Sequence, residues 1–145
     1  LLRDGKVMEA SKLVDDMLGI GADPEDLEFG RVEGLAEDEG IIRFLNLTRA
    51  RLLYEKKKYE EALENYKTAK STAETPAGEI LLERAWAHYH SGADHQAMGL
   101  LYALGAPSNR DLFLPDQYVL RGLIYQRFCH FLAAKTAVRE EGLNV

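Results

Sequence analysis

Four histidines and one cysteine are the side chains of this sequence best able to bind a metal ion or act as a nucleophile. His88 and His90 would point about 200° apart on a helix, so they cannot share one ion. His90 and His95 could approach each other across a turn, but the pattern favours a packed His88 with His90 and His95 at the surface. Cys129, followed by His130, has no base beside it and is expected to be a small buried residue at a turn.

The charged runs also have non-catalytic explanations. The acidic runs at 23–26 and 37–39 lack the alternating oxygen ligands, central glycine and terminal glutamate of a calcium loop, so we interpret them as helix capping and solvated surface. The lysines at 56–58 fit a solvated turn among acidic neighbours. The pair Gly19 and Gly21 alone does not make a phosphate-binding loop. We therefore expect no enzyme activity, no metal ion and no cofactor.

Composition indicates a soluble helical protein. The chain has 145 residues, of which 46% are hydrophobic and 29% charged, with only four prolines. Helix formers are abundant, which favours an all-α fold. The formal net charge of −6 disfavours a general nucleic-acid or anionic-membrane binder. No apolar run reaches the roughly 20 residues that span a bilayer, so we expect no membrane insertion.

Apolar periodicity divides the chain into seven to eight predicted helices in one domain. A helix tail, a turn at Gly5 and a helix from Lys6 form a partial repeat over residues 1–18. This start suggests that the sequence begins inside a longer protein. An extra or incomplete repeat follows at 23–39, where Asp23 and Pro24 are a strong helix start. Three helix pairs are predicted at 41–71, 77–105 and 113–141; the last is divided into helices at 115–128 and 131–141.

The helix at 24–38 has no evident partner before Ile41. Two explanations are open. Either this repeat has been reduced to a single extra helix, or a segment near 39–41 is missing from the sequence.

Small residues recur at matching positions in the three helix pairs. Leu47–Tyr54 aligns with Leu82–Tyr89, and its inner part, Thr48–Leu53, aligns with Leu120–Tyr125. This alignment superimposes Ala50, Ala85 and Gly122, and twelve residues beyond each lies another alanine, namely Ala62, Ala97 and Ala134. The second alanines are 35 and 37 residues apart. A two-helix unit of this period predicts a helical solenoid.

The pattern resembles the tetratricopeptide repeat family, whose unit is about 34 residues. The best match runs Ala50, Tyr54, Tyr59, Ala62, Tyr66, Ala69. The family's aromatic after the turn is kept at Tyr59 and Phe131, but is Asp94 in the middle repeat. The resemblance implies a right-handed α-solenoid of antiparallel helix pairs that acts as a non-enzymatic scaffold. In this family the first helix of each pair lines a concave groove.

The resemblance places the partner-binding groove one and four residues after each first-helix small residue, and at adjacent positions. The predicted groove residues are Arg51, Tyr54, Glu55, Trp86, Tyr89, His90, Leu123, Gln126 and Arg127. Arg, Trp and Tyr are the types that anchor interfaces. Three arginines at one repeat position, Arg49, Arg84 and Arg121, are expected to be structural.

We expect a peptide or partner protein to bind in the groove. The alternative is a structural component that self-associates or stacks through its terminal helices. The stretch Leu82–Ala87 is similar to repeat proteins of bacterial cell envelopes, which implies a periplasmic or envelope location, with the cytoplasm as the alternative.

Overall fold

The described residues are all helical. The structure, a computed structural model, describes residues 2–20 and 38–143, and no strand occurs among them. Six α-helices are present: α1 Leu2–Leu18, α2 Glu39–Glu55, α3 Tyr59–Thr68, α4 Ala77–His90, α5 Asp94–Ala103 and α6 Asp116–Leu143. A short 3-10 helix, Pro107–Asn109, lies between α5 and α6. The all-α prediction is confirmed for this part of the chain.

The start of α2 is fixed by its cap. The carboxylate of Asp38 accepts hydrogen bonds from the backbone N–H groups of Gly40, at 2.9 Å, and Ile41, at 3.3 Å. These donors would otherwise lack partners in the first helical turn. Arg43 pairs with Glu39 four residues earlier. The helix therefore begins two residues before the predicted Ile41.

Two hydrophobic cores form where the helices of a pair pack against each other and against the next helix. The first joins α2, α3 and the start of α4 through Leu47, Ala50, Leu53, Ala62, Tyr66 and Ile80. The second joins α4, α5 and α6 through Leu82, Ala85, Ala97, Leu101, Leu104, Leu120 and Ile124. The four alanines have no exposed surface, because side chains this small let the paired helices approach closely. Each core thus contains two of the alanines picked out by the repeat.

Both short turns contain a residue in the left-handed backbone conformation. Lys57, between α2 and α3, has φ of 61°, and Gly92, between α4 and α5, has φ of 82°. Each stands seven residues after the small residue of its first helix. The equivalent residue after Gly122 is Cys129, which lies within α6. The third unit therefore has no left-handed residue at this position, and its helix continues.

The predicted third helix pair is therefore wrong in one respect. Residues 115–128 and 131–141 were expected to form two helices, but α6 runs unbroken for 28 residues. Cys129, expected to be buried at a turn, is exposed on that helix. Within residues 2–20 and 38–143, no second helix folds back over the first half of α6, and Gly122, Tyr125 and Phe128 are exposed too.

Two further differences concern the N-terminal half. The predicted turn at Gly5 is absent, because α1 passes through this residue. Among the described residues, no atom lies within 4 Å of the place that a β-carbon would take at Gly5, and its backbone needs no conformation special to glycine. The predicted helix at 24–38, with the question of its partner, lies outside the described residues except for Asp38. Together with the single α6, this accounts for six described helices where seven to eight were predicted.

Candidate functional site

Five rings from three helices meet at the ends of α2 and α4 and at the start of α3. We call Tyr54, Tyr59, Trp86, Tyr89 and His90 the aromatic cluster. The His90 ring stacks on Tyr59, with centroids 5.3 Å apart and planes 16° apart, and on Trp86, at 5.9 Å and 24°. Tyr54 meets Tyr59 and His90 edge-on, at 5.5 and 5.7 Å. Stacked and edge-on contacts of this kind fix ring orientation.

Local sequence explains why these rings converge. Arg51, Tyr54 and Glu55 are spaced i, i+3, i+4, so they share one face of α2. The α4 residues Glu83, Trp86 and His90, spaced i, i+3, i+7, do the same on the neighbouring helix.

An ion pair bridges the two helices beneath the rings. The guanidinium of Arg51 donates to Oε1 of Glu83 from Nε at 2.9 Å, and its Nη2 lies 2.8 Å from the same oxygen. Nη2 also donates to the hydroxyl of the buried Thr75 at 3.4 Å. The second oxygen of Glu83, Oε2, is buried without a hydrogen-bond partner among the described residues. The pair links α2 to α4 and holds Glu83 in place.

These side chains surround a pocket of about 450 Å³, which we call the groove pocket. Its lining consists of Arg51, Tyr54, Glu55, Tyr66, Glu83, Trp86 and His90. Such a volume lies in the range of small-ligand and side-chain sites. The pocket therefore combines aromatic walls with three charged groups.

Five of the nine predicted groove residues line this pocket: Arg51, Tyr54, Glu55, Trp86 and His90. Tyr89 joins through the aromatic cluster, with its ring 6.0 Å from that of Trp86. Arg127 reaches the cluster from α6, its guanidinium carbon 3.9 Å from the Tyr89 ring centroid. Leu123 and Gln126 lie on α6 outside the pocket lining, half-buried and exposed respectively.

The site includes three residues that were not among the predicted groove residues. Tyr59 and Tyr66 belong to the second helix of their pair, whereas the groove was predicted on first helices. Both extend from α3 towards the cluster or the pocket. Glu83 was overlooked, although its spacing to Trp86 and His90 was a usable signal.

Burial shifts the proton affinities of the site. Burial, followed by the nearby Tyr59, raises the pKa of Tyr54 to about 12. Burial, followed by the negative charge of Glu83, raises the pKa of Tyr66 above its usual value, and the Tyr66 hydroxyl also donates a hydrogen bond to Glu83. Burial lowers the pKa of His90, and the positive charge of Arg127 lowers it further. At neutral pH the tyrosines are thus protonated and His90 is uncharged.

The repeated arginines differ in their partners. Arg49 donates to Asp15 of α1 at 3.0 Å and to Asn65 of α3 at 2.6 Å, as expected for a structural arginine. The Nε atoms of Arg84 and Arg121 are buried and have no hydrogen-bond partner in the described part of the chain.

Over residues 2–20 and 38–143, no three histidine, cysteine or acidic side chains are grouped so as to hold a metal ion. No helix in these ranges has the length and apolar character to cross a membrane. Comparisons with models of known protein families, with curated proteins and with solved structures found no match to this chain.

Proposed function

We propose that this chain is a tetratricopeptide-repeat-like solenoid that binds a peptide or a segment of a partner protein in the groove pocket. The observation that carries the proposal is the convergence of Trp86, Tyr54 and an Arg51–Glu83 ion pair on one open pocket. Aromatic and arginine side chains around a partly desolvated pocket are typical of residues that dominate binding energy. In this proposal the chain acts as a scaffold that binds its partner and does not change it chemically.

The repeated helix pairs support this reading. Successive helices pack on their neighbours in the chain, which is the packing of repeat proteins. The pocket lies between equivalent faces of α2 and α4, the first helices of two successive pairs. The groove of a solenoid is formed by those helices.

The test is removal of the Trp86 ring. With helicity retained by circular dichroism, Trp86→Ala should weaken partner binding by about thirtyfold, because it removes a central anchor worth ~2 kcal/mol. The measurement is quantitative affinity pull-down with this protein, followed by titration of the captured partner.

Tyr102→Ala is the matched control, because it also removes an aromatic ring, from α5, but one that is 87% exposed and outside the pocket. The Tyr102→Ala variant should capture as much partner as the unaltered protein does. Equal capture by the Trp86→Ala variant would contradict groove binding.

The exposed apolar face of α6 favours a second candidate function, self-association through the terminal helix. Tyr125, Phe128 and Phe131 are each more than half exposed on it. Together with Met98 and Ile124 they border a second pocket, of about 540 Å³, between α5 and α6. Contiguous exposed apolar surface of this kind marks interaction sites.

Analytical ultracentrifugation tests this candidate. Phe131→Glu should shift the protein towards the monomer, because it places a charge in the contact surface. Phe113→Glu introduces the same charge at an 89% exposed residue outside α6 and should leave the distribution unchanged. A monomeric unaltered protein at high concentration would rule the candidate out.

A further inference from the structure

We propose that α6 pairs with α6 of a second copy of this chain, in antiparallel orientation, through a stripe of exposed apolar side chains. This inference rests on self-association, the second candidate function above, and specifies the contact surface and the geometry of the pairing. It does not depend on the groove pocket.

Four exposed apolar residues follow one side of α6, and we call them the α6 stripe: Tyr118, Tyr125, Phe128 and Leu132. Successive members are seven, three and four residues apart, which is the spacing of side chains that face the neighbouring helix in a two-helix coiled coil. Leu120 and Ile124, which pack in the second core, lie on another side of the helix. Within residues 2–20 and 38–143, the stripe is therefore left open to a further helix.

Much of α6 has little of the packing that usually stabilises a helix. The helix has 28 residues and is about 42 Å long. Every side chain from Tyr125 to Ala133 is exposed. A helix without tertiary contacts is marginally stable in water, because helix propensity alone contributes little. A second helix along the α6 stripe would supply those contacts.

The exposed apolar area is large enough for a dimer. The four stripe residues are between 46% and 66% exposed, and Phe131 beside them is 63% exposed. A large side chain that is half exposed leaves about 100 Å² in contact with water. The five residues thus offer about 500 Å² per copy, or about 1,000 Å² in a dimer. Specific protein interfaces bury at least about that total area.

Basic residues along the stripe disfavour a parallel pair. Arg121 and Lys135 continue its spacing, three residues after Tyr118 and Leu132 respectively. In a parallel pair each of these positions faces its own equivalent, so Arg121 would face Arg121 and Lys135 would face Lys135. Like charges placed together in an interface are strongly unfavourable.

An antiparallel pair gives both basic residues an apolar partner. When Tyr125 faces Phe128 of the other copy, Arg121 faces Leu132 and Lys135 faces Tyr118. The long stems of arginine and lysine cover apolar surface, and the face of a tyrosine ring attracts an ammonium group. The arrangement has two-fold symmetry, so each contact occurs twice. The charges of α6 thus match an antiparallel second copy.

Charge substitutions on α6 test the contact surface. Phe128→Glu places a charge against Tyr125 of the other copy and should raise the dimer dissociation constant about a hundredfold, because each dimer carries the change twice. His130→Glu adds the same charge at an exposed residue on the opposite side of α6 and should have little effect. Analytical ultracentrifugation measures both. Equal weakening by the two variants would overturn the α6 stripe as the contact surface.

Cross-linking tests the orientation. In a Cys129→Ser background, which removes the single native thiol, one variant carries Tyr118→Cys and another carries Lys135→Cys. In the antiparallel pair these two positions face each other, whereas identical positions lie about 25 Å apart along the helices. A short thiol-reactive cross-linker should therefore join the two variants when they are mixed, and should not join either variant to itself. Mass spectrometry identifies the products, and circular dichroism checks that each variant remains helical.

The outcomes separate this inference from self-association itself. Cross-linking of each variant to itself would indicate a parallel pair, and a dimer without any cross-link would indicate association through another surface. Both results overturn the antiparallel α6 pair and leave self-association standing. An unaltered protein that stays monomeric at high concentration would overturn both.

Discussion

His90 is the titratable residue at the centre of the aromatic cluster. Its ring stacks on Tyr59 and Trp86, and burial holds its pKa below the usual 6.5. Burial, helped by Arg84, lowers the pKa of His88 in the same direction. The charged and titratable groups around His90 are Arg51, Tyr54 and Glu55 from α2, Tyr59 from α3, Glu83 and Tyr89 from α4, and Arg127 from α6.

These shifts predict a loss of stability in mild acid. The unfolded chain takes up protons at the usual histidine pKa, whereas folded His88 and His90 take them up only at lower pH. The free energy of unfolding should therefore fall as pH drops through 6.5 towards the lowered values. Urea denaturation at several pH values measures this.

The double variant His88→Gln, His90→Gln should show a flatter dependence. Replacement of the exposed His95 by glutamine is the control, and a control as flat as the double variant would contradict the assignment.

Single residues also set the limit of what the sequence could predict. The family resemblance predicted that Arg51, Tyr54 and Trp86 share a groove, and all three line the groove pocket. Tyr59 and Glu83 were not found, because their roles depend on how a turn and a neighbouring helix point side chains towards a shared pocket. Helical spacing could show that Glu83 shares a face with Trp86 and His90, but not that this face meets α2 at a pocket.

At the scale of elements, the left-handed turn residue distinguishes the two folded pairs from the third. The paired alanines predicted α2 with α3 and α4 with α5. The same spacing from Gly122 to Ala134 predicted a third pair, yet α6 is continuous. The repeat pattern indicates which helix faces can pack, but it does not determine whether the chain turns at Cys129 or continues as a helix through it.

Glycine substitutions test the turn. Gly92 has φ of 82° with open space around it, so Gly92→Ala changes conformational strain and little else. It should lower the free energy of unfolding by about 1 kcal/mol. Gly99→Ala, inside α5 and also in open space, should instead raise it by roughly 0.5–1 kcal/mol, because alanine is the better helix former. Thermal and urea unfolding measure both, and changes of the same sign would contradict the role of the turn.

At the scale of the whole molecule, the sequence predicted the helical class and the positions of the tightest packing. The repeat placed Ala50, Ala62, Ala85 and Ala97 at helix contacts, and these four are fully buried. The order of the helices followed from short turns between amphipathic segments. The arrangement at the C-terminal end was not predictable from periodicity, because a long helix and a helix pair can carry the same apolar pattern.

The two cores of the molecule meet on α4. Ile80 belongs to the core shared with α2 and α3, while Leu82 and Ala85 belong to the core shared with α5 and α6. In repeat proteins, neighbouring units unfold together only as far as their shared interface couples them. A ligand that contacts both α2 and α4 in the groove pocket strengthens the coupling between the two units, because it binds only when both helices are folded. A ligand bound in the groove pocket should therefore make the unfolding transition of the whole chain more cooperative.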